Sequence, residues 1–249
     1  QGTATTSVLG TLYAKRFYPA ANWHYYSPPV QSSTVNPFYK YYMWQYNEAT
    51  GGWENKAKDQ PMEPGRAYSI KYNVAAPSQT ITVNGSLNSG TITYSLSYSG
   101  VSFGWHLVGN PYPCALDWGA GGVTPAGWNN TNVEPTLYYY DGSAYYTYNR
   151  TTGGSGSRYI PANQGVFVHC TAAGQWSVDN GPRVHNSQAF YKGELNNTEQ
   201  VSNFPKLTLS ISGNGLTNKT YIAFLNEATT EFDSEYDAYK LYGSTNIPH

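Results

Sequence analysis

The chain has 249 residues and a formal net charge of −1, and only 12 % of its residues are charged. Lysine and arginine together number 14 and form no long run, which argues against a nucleic-acid partner and against a polybasic lipid-binding patch. Aromatic residues make up 16 % of the chain, including 25 tyrosines, which excludes disorder and is typical of β-sandwiches with exposed ring surfaces.

Short alternating or aromatic-rich runs, separated by Gly, Pro, Asn and Ser clusters, predict β-strands along the whole chain. In chain order the predicted strands are residues 23–27, 39–46, 67–72, 79–83, 90–98, 105–108, 136–140, 145–148, 165–169, 175–178, 206–211 and 219–225. Helical periodicity is nearly absent, and no run approaches the roughly 20 apolar residues of a membrane-spanning helix. The sequence therefore predicts an all-β protein without direct membrane insertion.

Three sequence blocks occur twice and in the same order. Residues 23–29 (WHYYSPP) return as 105–111 (WHLVGNP), 43–47 (MWQYN) as 137–141 (LYYYD), and 64–70 (PGRAYSI) as 162–168 (ANQGVFV), at offsets of 82, 94 and 98 residues. Ordered repetition predicts an internal duplication. We expect two tandem antiparallel β-sandwich-like units, residues 1–100 and 101–186, followed by a C-terminal β segment, residues 187–249. The chain stops without a capping turn, so we expect that segment to be truncated from a longer polypeptide.

A family resemblance rests on one of these blocks. Residues 104–113 (GWHLVGNPYP) resemble the GW-L-GNPYP block of secreted and cell-surface proteins of Bacteroidetes that are exported by type IX secretion. Residues 138–142 (YYYDG), 160–168 (IPANQGVFV) and 232–241 (FDSEYDAYKL) are also similar to blocks of these proteins. The resemblance implies an extracellular chain joined to other domains of its parent protein, and it implies no defined activity. Ala162-Asn163 departs from the usual Pro-Gly, which the first copy keeps as Pro64-Gly65.

Aromatic residues are concentrated on the two copies of the predicted strand pair. Because alternate side chains of a strand face opposite ways, one face can carry exposed rings while the other packs into the core. Flat rings suit the apolar faces of sugars. We expect a polysaccharide or cell-surface glycan to be bound by eight such residues, namely Trp44, Tyr46, Trp53, Tyr112, Trp118, Trp128, Tyr139 and Tyr146. Burial of these rings on both faces is the alternative.

An acidic run near the C-terminus is the candidate metal site. Asp233, Glu235 and Asp237 stand at alternate positions, and closely spaced carboxylates suit Ca²⁺, a hard ion that takes six to eight oxygen ligands. The spacing does not match an EF-hand loop, and a solvated acidic loop is the alternative. We expect no cofactor other than a structural Ca²⁺ ion at these three residues.

Residues that could carry catalysis have simpler interpretations. The repeated pairs Trp23-His24 and Trp105-His106 favour a structural role, such as an imidazole bonded to backbone, over a metal ligand or general base. The two cysteines, Cys114 and Cys170, allow either one disulfide or two separate thiols. The sequence contains no nucleophile elbow, zinc-type histidine spacing or phosphate loop, and we therefore expect no enzyme.

Three classes of function remain open. A non-catalytic extracellular binding module would expose its Trp and Tyr rings, whereas a structural spacer or adhesin stalk would bury them. A carbohydrate-active enzyme would show a cleft with two carboxylates, one of them with a raised pKa. We expect the binding module.

Overall fold

The computed structural model describes residues 12–19, 22–73, 78–100, 103–191, 204–213 and 216–243. Within these ranges the chain forms 17 strands, one 3₁₀ turn at Asn36–Phe38 and no α-helix, which confirms the predicted all-β class. The strands are β1 (Leu12–Pro19), β2 (His24–Tyr26), β3 (Tyr41–Asn47), β4 (Gly52–Asn55), β5 (Tyr68–Tyr72), β6 (Ser78–Gly85), β7 (Ile92–Leu96), β8 (Trp105–Gly109), β9 (Ala115–Asp117), β10 (Thr131–Val133), β11 (Thr136–Tyr140), β12 (Tyr145–Asn149), β13 (Tyr159–Ile160), β14 (Gly165–Val178), β15 (Arg183–Val184), β16 (Lys206–Gly213) and β17 (Leu216–Ala223).

Two antiparallel sheets have the same strand order. The first sheet runs β2-β5-β3-β4, and the second contains the path β8-β14-β11-β12. Their registers also agree. The paired residues in the first sheet are Tyr25 with Ser69, Trp44 with Ser69, and Tyr46 with Trp53; in the second they are Leu107 with Phe167, Tyr138 with Phe167, and Tyr140 with Tyr145. Adding the offset of each repeated block to the residues of a pair in the first sheet gives the corresponding pair in the second sheet. Trp53 and Tyr145 lie outside the repeated blocks, and they correspond because they pair with the equivalent residues Tyr46 and Tyr140.

The two sheets meet through contacts that come in pairs. Each contact has a counterpart in which the two copies exchange roles, as in an isologous interface between identical subunits. The pairs are the bridges Arg66 with Val108 and Tyr26 with Gln164, and the hydrogen bonds from the Ser27 N–H to the Asn163 carbonyl (2.9 Å) and from the Gly109 N–H to the Gly65 carbonyl (3.0 Å). The two sheets are therefore related by an approximate twofold axis.

Three apolar layers alternate with the two sheets. The middle layer lies between them and contains Tyr25, Ala67, Leu107, Tyr138, Tyr140 and Phe167. On the far side of the first sheet, Met43 and Ile70 pack beneath the antiparallel pair of β1 and β6. On the far side of the second sheet, Val166 and Val168 pack with Trp118 and Trp176. This is a sandwich-like arrangement, and the hydrophobic burial in its layers is what stabilises it.

The two units share elements across the expected boundary at residue 100. β14 is 14 residues long; its first half pairs with β8 and β11, and its second half pairs with β7 and β10. β7 precedes residue 100 yet belongs to the sheet of the second copy. Phe190 lies in the core of the first copy while its neighbour Tyr191 lies in the core of the second. Residues on both sides of residue 100 therefore contribute to the same sheet and to the same cores.

The chain after residue 203 is exposed in its first part and packed in its last part. β16 and β17 form a two-stranded hairpin that leaves Leu207, Leu209 and Ile211 about half exposed. Residues 224–243 contain no strand, and Leu241 packs against the middle apolar layer.

Neither cysteine is bonded to the other. Cys114 is half-buried, with its Sγ 3.3 Å from the Nε of Arg183, and Cys170 is fully buried. Burial raises the pKa of the Cys170 thiol to about 12, so this thiol is inert packing. Of the two alternatives that the sequence left open, the structure has separate thiols. Within the described residues, no helix is long and apolar enough to cross a membrane.

Candidate functional site

A cavity of about 410 Å³ opens where the first sheet meets the β11–β12 hairpin. We call it the aromatic groove. Its lining consists of Trp23, Tyr25, Trp44, Trp53, Ser69, Tyr140, Tyr145, Tyr242 and Gly243. The volume lies within the roughly 300–1,000 Å³ that small-molecule sites occupy.

Strand alternation places these rings on one side. In β3, Met43 points into the outer core while Trp44 faces the groove. In the second copy, Tyr140 and Tyr145 are direct partners across β11 and β12, so their rings lie side by side, with centroids 5.0 Å apart. The groove is therefore built by both copies.

Tyr25 is the centre of the ring cluster. Its ring centroid is 5.3 Å from that of Tyr140 and 6.1 Å from that of Trp53, and its hydroxyl is 2.6 Å from the Tyr145 hydroxyl. Burial, followed by the neighbouring Tyr145, raises the pKa of Tyr25, and burial raises the pKa of Tyr145 to about 12. Both hydroxyls are therefore protonated at neutral pH; because one of them donates to the other, the pair has one proton left to donate to a ligand oxygen, and both oxygens can accept.

Two glycines allow backbone segments beside the groove to pack closely against each other. A Cβ on Gly142, which has φ +101°, would lie 2.8 Å from the Cβ of Asn22, just before Trp23. A Cβ on Gly243 would lie 2.0 Å from the carbonyl oxygen of Ser143, so the C-terminal segment fits tightly against the hairpin turn. The segments that form the groove are therefore closely packed before a ligand binds, which reduces the conformational change that binding requires.

The lining of the groove, as far as the chain is described, includes no carboxylate and no cation. The nearest charge shown against a lining ring is the Lys71 ammonium, 5.8 Å from the Trp23 ring centroid. Flat apolar faces with a few hydroxyls suit a neutral ligand that has its own flat apolar face. A pair of carboxylates for glycoside hydrolysis is not among these residues.

The eight predicted ligand residues do not form one site. Trp44 and Trp53 line the aromatic groove, and Trp53 is 40 % exposed. Tyr46 lies beside it, its ring centroid 5.4 Å from that of Trp53. The ligand-binding role of these three residues stays a prediction.

The other five predicted ligand residues pack in the core of the second copy. Tyr112, Trp118 and Tyr139 are fully buried, so no ring face is open to a ligand, and their assignment as contacts was wrong. Tyr112 donates to the Val178 carbonyl (2.8 Å), Trp118 stacks on Trp176 with centroids 5.4 Å apart, and Tyr139 stacks on Tyr191 at 4.3 Å. Trp128 and Tyr146 are partly buried against the same core, outside the groove.

Sequence reasoning missed seven lining residues, Ser69, Gly243 and the five aromatic residues Trp23, Tyr25, Tyr140, Tyr145 and Tyr242. The sequence predicts Tyr139 and Tyr146 as ligand residues, whereas their neighbours Tyr140 and Tyr145 line the groove, because a shift of one residue reverses the face of a strand. The repeat contains a signal for Tyr140, which is the counterpart of Tyr46 at the offset of 94 that also relates Trp44 to Tyr138.

The acidic run does not converge on a point. The Asp233 carboxylate accepts from the Glu235 N–H (3.0 Å), the Asp237 carboxylate accepts from the Asp233 N–H (2.8 Å), and Glu235 accepts from the Thr151 hydroxyl. No group of three acidic, histidine or cysteine side chains in the described ranges is arranged to hold a metal ion. The structural Ca²⁺ ion stays a prediction.

The repeated histidines are buried beside backbone or rings. The His106 Nε2 lies 2.9 Å from the Ser97 carbonyl, and burial lowers the pKa of this imidazole. The His24 ring is 2 % exposed and lies 5.3 Å from that of Tyr18. A third histidine, His169, has its Nδ1 3.1 Å from a Glu134 carboxylate oxygen and its Nε2 2.9 Å from the Phe103 carbonyl. These contacts fit the structural role expected for the repeated histidines.

One family model matches the chain. It is described as a domain of unknown function, DUF8693, and the match spans residues 5–247, which includes both copies and the C-terminal segment. No curated protein and no solved structure matches the chain.

Proposed function

This chain belongs to the DUF8693 family, and we propose that it is a non-catalytic extracellular binding module that holds carbohydrate in the aromatic groove. One observation carries the proposal, namely that five Trp and Tyr rings from two sheets converge on an open, uncharged cavity beside a pair of neutral hydroxyls. Rings supply apolar faces for sugar rings, and the hydroxyls of Tyr25 and Tyr145 supply hydrogen bonds that orient them.

The setting of this module follows from the block at residues 104–113. Its resemblance to exported Bacteroidetes proteins supports a secreted or cell-surface location and a parent chain with further domains. A polysaccharide or surface glycan is the partner that such a location offers to an aromatic groove.

A structural spacer or adhesin stalk is the second candidate. The full burial of Tyr112, Trp118 and Tyr139 favours it, because most of the aromatic content then stabilises the fold and binds nothing. The two candidates differ in how they account for the exposed rings. A structural spacer does not explain why Trp53 is 40 % exposed at the edge of a cavity, whereas a binding module does.

The experiment is a pull-down with insoluble polysaccharides together with a glycan array, on the wild type, Trp53→Ala and Tyr39→Ala. Trp53 lines the groove on a short strand, whereas Tyr39 is 70 % exposed outside it and serves as the matched control. We expect Trp53→Ala to weaken binding about ten-fold, since losing a stacked ring costs about 0.5–1.5 kcal/mol or more, and Tyr39→Ala to bind like the wild type. Absence of any glycan ligand, or equal loss in both variants, would favour the spacer.

A further inference from the structure

The second copy has a counterpart of the groove-lining surface of the first. Trp105 takes the place of Trp23 at the offset of 82, and Tyr138 takes the place of Trp44 at the offset of 94. The matching is physical as well, because Trp44 lies opposite Ser69 and Tyr138 lies opposite its counterpart Phe167. The Trp105 and Tyr138 ring centroids are 5.1 Å apart; Trp105 is partly buried and Tyr138 is 1 % exposed, so this pair of rings is covered in the folded protein.

The partners beside the two tryptophans are also equivalent. In the first copy the Lys71 ammonium lies 5.8 Å from the Trp23 ring centroid. In the second copy His169, at the offset of 98 from Lys71, packs with its ring centroid 5.0 Å from that of Trp105. Each of the two tryptophans therefore has a nitrogen-bearing side chain from the equivalent position beside its ring.

The C-terminal segment covers this second surface. We call residues 232–241 the covering segment. The Tyr239 ring lies 5.5 Å from the Trp105 ring and 5.1 Å from the His169 ring, and the Tyr239 N–H donates to the Tyr138 hydroxyl (2.9 Å). Tyr239 thus makes a ring contact and a hydroxyl hydrogen bond, the two kinds of contact that the proposed function assigns to a sugar in the aromatic groove.

No residue of the covering segment is fully buried, and Leu241 packs against the middle apolar layer. The segment contains no strand, and Tyr239 keeps 36 % of its surface exposed and Phe232 keeps 50 %. Its backbone carbonyls accept hydrogen bonds from polar side chains: Ser234 from the Asn149 amide (3.1 Å) and Tyr236 from the Thr152 hydroxyl (3.3 Å). The Asp237 carbonyl accepts two long ones, from the Thr136 hydroxyl (3.5 Å) and the Asn149 amide (3.5 Å). Segments with exposed hydrogen bonds and few buried apolar groups open at lower cost than the core does.

We propose that Trp105 and Tyr138 form a second carbohydrate site, which Tyr239 occupies until the covering segment lifts. This inference rests on the proposed function, since it assigns the same ligand chemistry to the counterpart surface. A ligand that binds only the open state has its apparent affinity reduced by the fraction of molecules that are open. In the wild type the aromatic groove therefore fills first, and the second site fills only when the Tyr239 ring is displaced.

The test counts bound ligands by calorimetry and native mass spectrometry, with cellohexaose, mannohexaose, xylohexaose and maltohexaose as probes. We expect one bound hexaose in the wild type and two in Tyr239→Ala. Tyr239→Phe keeps the covering ring and the backbone N–H and is expected to stay at one. Two double variants assign the sites. Adding Trp53→Ala to Tyr239→Ala should weaken binding at the aromatic groove at least ten-fold, and adding Trp105→Ala to Tyr239→Ala should weaken binding at the second site at least ten-fold. Near-ultraviolet circular dichroism checks that each variant is folded.

The outcomes separate the two proposals. One bound hexaose in both the wild type and Tyr239→Ala overturns the second site and leaves the aromatic groove. Binding to Tyr239→Ala alone overturns the groove as a site and supports the covered surface. A second binding event that survives Trp105→Ala overturns the assignment to this surface, and absence of binding to every variant overturns both proposals.

Discussion

Glu48 is a buried carboxylate whose hydrogen bonds are all within the protein. It is 4 % exposed, and one oxygen accepts from the N–H groups of Ser99 (2.7 Å) and Gly104 (2.9 Å). The other oxygen accepts from the hydroxyls of Ser97 (2.9 Å) and Ser99 (2.8 Å). Burial raises the pKa of Glu48, but these hydrogen bonds outweigh it and leave the pKa below its usual range. The carboxylate thus ties the end of β3 to the segment that enters β8.

We expect Glu48→Gln to lower the free energy of unfolding by about 1–3 kcal/mol at pH 7, because an amide NH₂ would face buried donors. The folded pKa lies below the unfolded value of about 4.3, so the stabilisation is complete above that value and is lost as the pH falls through the folded pKa. The gap between wild type and variant should therefore shrink in acid, as measured by urea unfolding from pH 7 down to about pH 3. Glu227→Gln, at an exposed carboxylate, should change stability by less than about 0.5 kcal/mol. A gap between wild type and Glu48→Gln that does not depend on pH would contradict the role of the Glu48 charge.

For individual residues, the sequence could predict that tyrosines cluster, but it could not predict which tyrosines line the groove and which are buried in the core. All five residues of β11 are buried, so both faces of the strand are covered and the usual alternation of apolar and polar residues is absent. Tyr139 and Tyr140 are chemically identical neighbours, yet one packs on Tyr191 and the other reaches the groove. Only the position of the opposing sheet distinguishes them.

At the scale of elements, the close approach of the two sheets depends on small residues at equivalent positions. A Cβ on Gly165 would lie 2.6 Å from the Cβ of Ala67, its own counterpart in the first copy, and 2.8 Å from the Cβ of Tyr25. A Cβ on Gly109 would lie 2.4 Å from the Cβ of Ser27, again its counterpart. Residues related by the repeat therefore touch each other near the twofold axis, where there is room for one Cβ of each pair.

We expect Gly165→Ala to destabilise the protein by about 1–3 kcal/mol through overpacking at this contact. Adding Ala67→Gly moves the methyl group to the other copy and should restore part of the loss. A double-mutant cycle by urea unfolding measures that coupling. Gly52→Ala, where the added Cβ would meet nothing closer than 3.4 Å, is the control and should cost less. Additive effects of the two substitutions would contradict a direct contact between counterparts.

The repeated blocks predicted more about the elements than the strand patterns did. Their offsets relate the register of both sheets, down to Trp44 opposite Ser69 and Tyr138 opposite Phe167. They could not predict that β7 joins the sheet of the second copy, because that pairing depends on how far β14 continues beyond residue 170. Extension of β14 lies outside the repeat and has no counterpart in the shorter β5.

At the scale of the molecule, one apolar layer belongs to both copies. Tyr25 and Ala67 from the first copy and Leu107, Tyr138 and Phe167 from the second form a single buried cluster. Neither sheet could separate without exposing these side chains to water, at about 25 cal/mol for each Å² of apolar surface. The aromatic groove is the open end of the same arrangement, so its shape depends on the two copies staying docked.

The two copies should accordingly unfold as one cooperative unit. Native-state hydrogen exchange followed by mass spectrometry is expected to give opening free energies for β5 and β14 that agree within about 1 kcal/mol, because losing either strand dismantles the shared layer. The β16–β17 hairpin supplies the internal contrast: it pairs only with itself and leaves Leu207, Leu209 and Ile211 half exposed, so its amides should exchange through a lower-energy opening. Exchange of β5 at a distinctly lower free energy than β14 would show instead that the copies are separate domains, and the groove would then be an interface that can open.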